Sequence, residues 1–535
     1  MNLHETILSG LNESQREAVT STEGHMLVVA GPGTGKTLTI ASRIAYLVNN
    51  GVSPGRILAV TFTNRAAREM RERLEILLGC NIKGILIVTF HVLGLRLLMD
   101  TGTDDFVICT RDDQIEILKK LVKDSGIRPR QAAERISRIK SFIEEADENI
   151  DVIFKSYQSV LMKNSALDFD DLILKPVEML GRNDMASMYR ERFRHIMVDE
   201  YQDINPAQFK LIKLIAGDKG SICAVGDSDQ AVYAFRGADL RNFLNFEEDF
   251  KDAKRVILCE NYRSNGMIVS ASNELIKNNR DRIAKNIRAV RGKGRKVTVI
   301  SSPDEKTEGE VIVSEIEKRI GGTSHYQLMH SDHAGLDSDC AYSFSDFAVI
   351  FRTNAQAKAI EEVFISSGIP YQIVGGKNSI QSKEVENTLA YLHDIISPAD
   401  IRHNDRDASA EAALLSPADF FDPRAEAVSL MTMHMAKGLE FRVVFIAGVE
   451  EGLVPYTINK DNTDIGEERR LFYVGMTRAK DELFLIHARK RFLYGQRLVR
   501  SPSLFLKEIP EELIEKRIIP DKVKKQKKDE QIGLF

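Results

Sequence analysis

A chain of 535 residues with a formal charge of −4 is too long for one hydrophobic core, so three or four domains are expected. No global basicity advertises nucleic acid, and any polyanion must meet a local surface. Five cysteines, at 80, 109, 223, 259 and 340, form no CxxC pair, which argues for a reducing compartment without zinc or an iron–sulfur cluster.

No signal peptide and no bilayer-length apolar run is apparent, so the chain reads as soluble and cytoplasmic. Tryptophan is absent, which leaves any base stacking to Phe, Tyr, His or Arg. Residues 11–19, LNESQREAV, read as an amphipathic helix with Asn12 or Ser14 near its cap. Gln15 then lies just upstream of a phosphate loop, where an amide could read an adenine edge.

The loop itself follows a short apolar strand, His25–Ala30. Ala30, Gly31, Pro32, Gly33, Thr34, Gly35, Lys36, Thr37 and Leu38 run from that strand into a helix. The glycines let backbone N–H groups approach an anion. Lys36 is placed to reach the β- and γ-phosphates and Thr37 to hold Mg²⁺. Ala30 stands where the strict pattern has Gly, so the match is to the relaxed form of the nucleotide loop.

Beyond it, Ile57–Val60 is expected to be a buried strand with TFTN (61–64) at its carboxyl end, then a helix over Ala66–Leu74. ILIVTFH (85–91) repeats the plan, with Thr89, Phe90 and His91 at the strand end. Open α/β sheets bind ligands there, so Phe62 and Phe90 suit either a track for stacked bases or the core. From about 92 to 190 the pattern is helical, an insertion closed by LDFDDLIL (167–174). Its three aspartates suggest a metal site less readily than caps and helix starts.

HIMVDEYQDIN (195–205) returns to the sheet, with Asp199 and Glu200 at a strand end. There a phosphate-loop ATPase needs one carboxylate for Mg²⁺ and one to take a proton from water. In ICAVGDSDQAVYAFRGA (222–238), Gln230 could sense the γ-phosphate. Tyr233, Phe235 and Arg236 interleave rings with a cation as single-strand binding requires. LCENYRS (258–264) offers Tyr262 to stack on adenine and Arg263 to stabilise charge.

A second α/β unit is expected from near 265. It includes DFAVIFRTNAQ around Arg352, a loop carrying His434, Lys437, Gly438 and Glu440, and a helix with Arg478 leading into a hairpin. No second phosphate loop occurs in it. Residues 321–343 read as a polar loop whose His325, His330, His333 and Cys340 match no known ligand spacing. Residues 399–427 read as a short polar connector, and the chain from 511 as a disordered tail rich in lysine (522, 524, 525, 527 and 528).

In order, LNESQREAV, AGPGTGKT, TFTNRAAREM, TFH, VDEYQDIN, VGDSDQAVYAFRGA, NYRS, FRTNAQ, TMHMAKGLEF and EERRLFYVGMTRAK resemble the motif series of the UvrD/Rep/PcrA family of superfamily 1 DNA helicases. The resemblance runs from about residue 10 to about 510. It implies an α/β fold of two RecA-like domains with ATP and Mg²⁺ between them and single-stranded DNA across their tops, moving 3′ to 5′. The first RecA-like domain would take 1–90 and 191–264, a helical accessory domain 91–190, and the second RecA-like domain 265–398 and 428–510.

Carried over by residue, the resemblance puts Gln15 and Tyr262 on adenine, Lys36 and Thr37 on phosphate and metal, Asp199 on Mg²⁺, and Glu200 as the base. It makes Gln230 the γ-phosphate coupler, Arg263 and Arg478 the arginine fingers, and Glu440 the ribose contact. The DNA track would comprise Phe62, Asn64, His91, Tyr233, Phe235, Arg236, Arg352 and His434, with Tyr494 as the aromatic pin that splits the duplex. Leu38 stands where relatives have Arg, and Phe235 where they have Trp. The connector at 399–427 stands where relatives insert a second accessory domain.

The implied activity is an ATP-dependent helicase of DNA repair or replication, acting at the nucleoid on single strands and 3′-tailed duplexes. Alternatives are a translocase that strips proteins without processive unwinding and a DNA-binding scaffold with an ATP switch. The last residues, Gln531, Ile532, Gly533, Leu534 and Phe535, resemble the peptide by which bacterial proteins dock on the β sliding clamp.

Overall fold

A computed structural model of the chain describes residues 3–102, 106–123, 125–321, 342–375, 414–415, 417–457, 463–493 and 495–521. Runs of β-branched and aliphatic residues build two sheets. β1 (Met26–Ala30), β2 (Ile57–Thr61) and β3 (Leu86–Thr89) are buried along their whole length, as strands covered on both faces must be. Successive side chains point to opposite faces. Leu27 and Val29 accordingly enter one core, and Met26, Val28 and Ala30 the other.

β4 (Val107–Cys109) and β5 (Ala166–Asp168) pair only with each other, inside the helical insertion. β6 (His195–Val198), β7 (Ser221–Gly226) and β8 (Lys254–Leu258) complete a six-stranded parallel sheet in the order β3-β2-β6-β7-β1-β8. The carboxyl ends of the neighbours β6, β7 and β1 carry Asp199–Glu200, the 227–230 turn and the glycine loop. Three short polar segments are thereby gathered on one edge.

β9 (Glu260–Asn261) and β10 (Arg288–Ala289) form a two-stranded link. The second sheet contains β11 (Val297–Asp304), β12 (Phe347–Phe351), β13 (Tyr371–Ile373), β14 (Val428–Thr432), β15 (Phe441–Ala447) and β16 (Ala479–Leu493). β17 (Gln496–Val499) folds back antiparallel on β16, and β18 (Ile514–Ile518) closes the parallel order β13-β14-β12-β15-β16-β11-β18. The chain therefore folds as two RecA-like α/β units, with helices against parallel sheets and a helical insertion in the first. No helix among the described residues is long and apolar enough to cross a membrane.

Several expectations need correction. The helix after β2 spans Asn64–Leu78, because the Thr63 hydroxyl caps it by accepting from Ala66 N at 3.2 Å. β3 stops at Thr89, which caps the helix Phe90–Met99, so Phe90 and His91 open a helix. The chain from 511 to 521 is ordered and not a disordered tail, since β18 pairs with β11 from Val297 to Ser301. The 167–174 aspartates hold a cation of the protein itself. Lys140 Nζ lies 2.7 Å from Asp168 and 2.9 Å from Asp171, all three side chains buried. The connector is not uniformly polar and solvated either, because Leu414 joins the core of the first unit and Phe421 that of the second. The four candidate ligands in 321–343, Tyr494 and the 531–535 peptide lie outside the described residues.

Candidate nucleotide cleft and ring track

The glycine loop bends through left-handed backbone at Gly33 (φ 66°) and Gly35 (φ 84°), conformations that glycine adopts without penalty. Side chains there would also collide: a Cβ on Gly33 would stand 2.6 Å from Arg263 Cβ. The loop is held from across the cleft by Asn261 Nδ2 to Pro32 O (2.7 Å) and Tyr262 N to Gly33 O (2.9 Å). Thr34 bonds Gly31 O at 2.8 Å, and Gln15 Nε2 bonds Thr34 O at 2.9 Å.

Asn12 is the cap of the first motif's helix, and Gln15 is its capping-box partner. Asn12 also donates to the Tyr262 hydroxyl at 3.0 Å, which brings the two adenine candidates to one corner. Lys36 and Thr37 open the helix Lys36–Asn49, with Leu38 behind them. Lys36 Nζ is 3.4 Å from Gln230 Oε1 and 3.8 Å from Glu200 Oε1.

Glu200 is a non-glycine residue in left-handed backbone (φ 49°, ψ 42°). This local strain is characteristic of functional sites. Burial and the adjacent Glu200 push the Asp199 carboxyl well above the carboxylate range. Burial also acts to raise Glu200, but Lys36 and Lys437 beside it hold it low. The environment thus pushes the two carboxyls in opposite directions, Asp199 up and Glu200 down. Gln202 Nε2 fixes Glu200 Oε2 at 2.5 Å.

The second unit supplies the opposite wall. Arg263 Nε bonds Glu440 Oε2 at 2.7 Å, and Lys480 reaches the other Glu440 oxygen at 2.8 Å. These cations overcome burial and hold Glu440 down at about 2. Arg478 is buried, donating to Val474 O (2.8 Å), Leu439 O (3.1 Å) and Thr477 Oγ1 (3.0 Å). Burial, and then Arg263, lower it to about 9.

Lys437 crosses from the second unit to the first. Its Nζ lies 3.5 Å from Glu200 Oε2, pairs with Asp203, and donates to Gln230 O at 2.8 Å. It also sits 5.2 Å over the Tyr233 ring. Burial works against its charge, but Asp203 and Glu200 keep the ammonium well above the lysine range. Burial pushes Asp203 up to about 7 even with Lys437 beside it.

From Tyr233 a series of rings leads outward. Phe62 stacks on it at 5.1 Å and 16°, and Phe235 stands at 6.0 Å and His434 at 6.4 Å. Arg236 lies 5.4 Å over Tyr233 and 5.6 Å over Phe235. Phe235 is 63% exposed, a large apolar face offered to solvent among cations. Phe62 therefore belongs to this series and Phe90 to the core. His91 is lowered to about 4 by burial and then by Arg236, which keeps its ring neutral.

Two candidates are engaged elsewhere. Arg352 makes a two-point pair with Glu468 (3.0 and 2.7 Å) beneath Tyr456. Asn64 is buried, donating to Leu414 O (2.9 Å) and Asp419 Oδ2 (3.1 Å), so it anchors the connector and is absent from the ring series. β16 and β17 pair as far as Leu493 opposite Gln496.

Sequence reasoning placed Lys437 in a loop without a role, and Gln202, Asp203 and Lys285 not at all. The only local signal was polar residues at strand ends, and partners up to 234 residues away leave no trace in spacing.

A glycine loop opening a helix, an Asp–Glu pair two strands away, Arg263 beside them and Arg478 facing them from a second unit define a two-domain nucleotide-driven motor. Residues 11–251 match the UvrD/REP helicase N-terminal domain, and residues 256–407 and 407–490 match the UvrD-like helicase C-terminal domain. The ATP-dependent DNA helicase PcrA of Bacillus subtilis strain 168 is 32% identical over 658 aligned positions, covering 95% of this chain and 87% of that protein. Proteins of the same name from Staphylococcus aureus strain Mu50 and Staphylococcus epidermidis strain RP62A are also 32% identical over the same shares. The chain belongs to the UvrD/REP helicase family, ATP-driven enzymes that act on DNA.

Proposed function

We propose that this chain moves 3′ to 5′ along single-stranded DNA at the expense of ATP, unwinds 3′-tailed duplexes, and serves DNA repair or replication in the bacterial cytoplasm at the nucleoid. The observation that carries the reading is Lys437. One side chain of the second unit touches the base candidate Glu200, the coupler Gln230 and the ring Tyr233.

In this reading the loop amides and Lys36 grip the β- and γ-phosphates, and Gln15 and Tyr262 face adenine, with Glu440 near the ribose. Thr37 and Asp199 fit a divalent cation held by one carboxylate, one hydroxyl and phosphate oxygens. When bound, Mg²⁺ supplies charge neutralisation at those oxygens. Glu200, kept ionised by Lys36 and Lys437, accepts the proton of the attacking water, and Gln230 orients it. Arg263 and Arg478 exchange their present carboxylate and carbonyl partners for the γ-phosphoryl oxygens, a role worth ~10³–10⁵ in rate. The rings of Phe62, Tyr233, Phe235 and His434 hold bases, and Tyr494 divides the duplex.

Two findings support a missing second accessory domain. The C-terminal family match is broken at 407, and an alignment of 658 positions exceeds the 535 residues of this chain. Without that domain a translocase that strips proteins from single strands is the second reading. The 531–535 peptide adds docking on a β sliding clamp, tethered by the lysine-rich segment. Strand displacement on duplexes bearing a 3′ or a 5′ tail decides among these. Unwinding of the 3′-tailed substrate alone is expected. ATP-driven streptavidin removal without unwinding selects the second reading, and 5′-tail preference refutes the polarity.

A further inference from the structure

Behind Gln230 lies a buried ionic cluster that the nucleotide reading leaves unused. The turn after β7 presents Asp227 and Asp229, both side chains 1% exposed or less. Facing them is the 277–287 segment that leads from the helix Gly266–Ile276 to β10. Lys285 Nζ, 1% exposed, lies 2.5 Å from Asp227 Oδ1 and also pairs with Asp229. Arg282 makes a two-point pair with Asp229 (2.9 and 2.7 Å), and Ile283 N bonds Ser228 Oγ at 3.1 Å. The segment is tied to the second unit where Asn279 bonds Gly466 O (2.9 Å) and receives Arg469 (2.5 Å).

Asp227 faces the reaction on its other side. Its Oδ2 accepts from Gln230 Nε2 at 2.7 Å, while Gln230 Oε1 faces Lys36 Nζ at 3.4 Å. Its backbone N–H bonds Gln202 Oε1 (2.9 Å), whose amide nitrogen holds Glu200. A primary amide has two orientations of nearly equal shape. With a carboxylate behind it and an ammonium before it, only one satisfies both. A carboxylate this buried needs a fixed cation to remain an acceptor.

We propose that Lys285 is a positioning residue for ATP hydrolysis: through Asp227 it fixes which end of the Gln230 amide faces the nucleotide. It does so from a segment anchored to the second unit. The inference rests on the reading of Gln230 as the γ-phosphate coupler. Removing the ammonium frees the amide to turn its N–H₂ toward Lys36, where donor meets donor. Chemistry suffers while the phosphate grip by the loop remains.

The test is single-stranded-DNA-stimulated ATPase of the full chain, as a double-mutant cycle between Lys285→Met and Gln230→Ala. Lys285→Met is expected to lower kcat about ten- to a hundredfold, the scale of a small misplacement at a reacting centre, with KM for ATP within about twofold. Lys285→Arg, which restores a cation, recovers most of the loss. In the Gln230→Ala background, Lys285→Met costs less than about a further twofold, because both act through one amide. Equal losses in both backgrounds, or a Lys285→Met kcat within about twofold of the parent, overturn the proposal and leave the Gln230 assignment standing. Wild-type turnover by Gln230→Ala refutes that assignment and the proposal together. Should Lys285→Met not fold, Lys285→Gln, which keeps a donor without the charge, is read by the same criteria.

Discussion

Replacing Lys437 with Met tests whether the second unit sets the protonation of the base. The ammonium sits 3.5 Å from Glu200 Oε2. At an effective dielectric of about 20 the attraction is roughly 5 kcal/mol, which corresponds to about three and a half pKa units. Glu200 is held at about 2 in the parent, so its ionised, proton-accepting form persists across the whole working range. Loss of Lys437 removes one of the three cations, beside Lys36 and Arg478, that hold Glu200 low, and raises the Glu200 pKa. The base is then lost as pH falls through the new value, and kcat acquires an acid limb at a higher pH than in the parent. Asp203 loses its partner too and, already at about 7, neutralises at working pH, which tempers the structural damage. The assay is DNA-stimulated ATPase from pH 4.5 to 9, with thermal melting to confirm folding. Parallel profiles for parent and variant refute the electrostatic role of Lys437.

Three further predictions follow from the same geometry. Glu200→Gln keeps the shape and the metal candidate Asp199, so ATP and DNA binding persist while steady-state turnover falls at least about a hundredfold; near-parent turnover removes Glu200 from the base role. Phe235→Ala deletes an exposed stacking face worth ~1–3 kcal/mol per base, which fluorescence anisotropy reads as roughly 5- to 150-fold weaker single-strand binding with unchanged basal ATPase. Arg491→Met strips the cation from Glu308 and Glu450, which hold it at 2.6 Å each with all three side chains 2% exposed or less. The unpaired charges destabilise the second unit by ~3–5 kcal/mol, and an unchanged denaturation midpoint contradicts that.

The glycine loop and the strand-end carboxylates were legible because their chemistry is local: each lies within a few residues of a buried strand. β1, β6 and β7 could be drawn from apolar runs, and strand ends of parallel sheets converge by construction. The electrostatics of the cleft were not legible. Whether Glu200 is the ionised member depends on Lys36 and Lys437, which come from different units. Asn64 illustrates the opposite failure. Its motif pointed to a strand, yet its amide is taken by Leu414 and Asp419 more than 300 residues away. β18 was missed because Ile514–Ile518 is exposed beyond its first residue. An edge strand with polar side chains carries no periodic signal and is fixed by backbone pairing with β11.

The cleft and the ring track are one electrostatic unit. Lys437 has three anionic or π partners and a single position from which it satisfies them all: Glu200 and Asp203 below, the Tyr233 face above. A ring that gains a base on its other face, or shifts toward Phe62, alters what the ammonium sees. The field at Glu200 changes with it, and this requires no movement of the glycine loop. Linkage makes such an effect reciprocal for binding: a polyphosphate that draws Lys36, Arg263 and Arg478 inward redistributes the cations around Glu200. Where the cleft takes nucleotide and the rings take bases as proposed, each alters the grip on the other by the same free energy. Because Lys437 belongs to the second unit and its partners to the first, the coupling exists only while the two units are closed on each other. A motor needs that conditional link to make each closure count as a step.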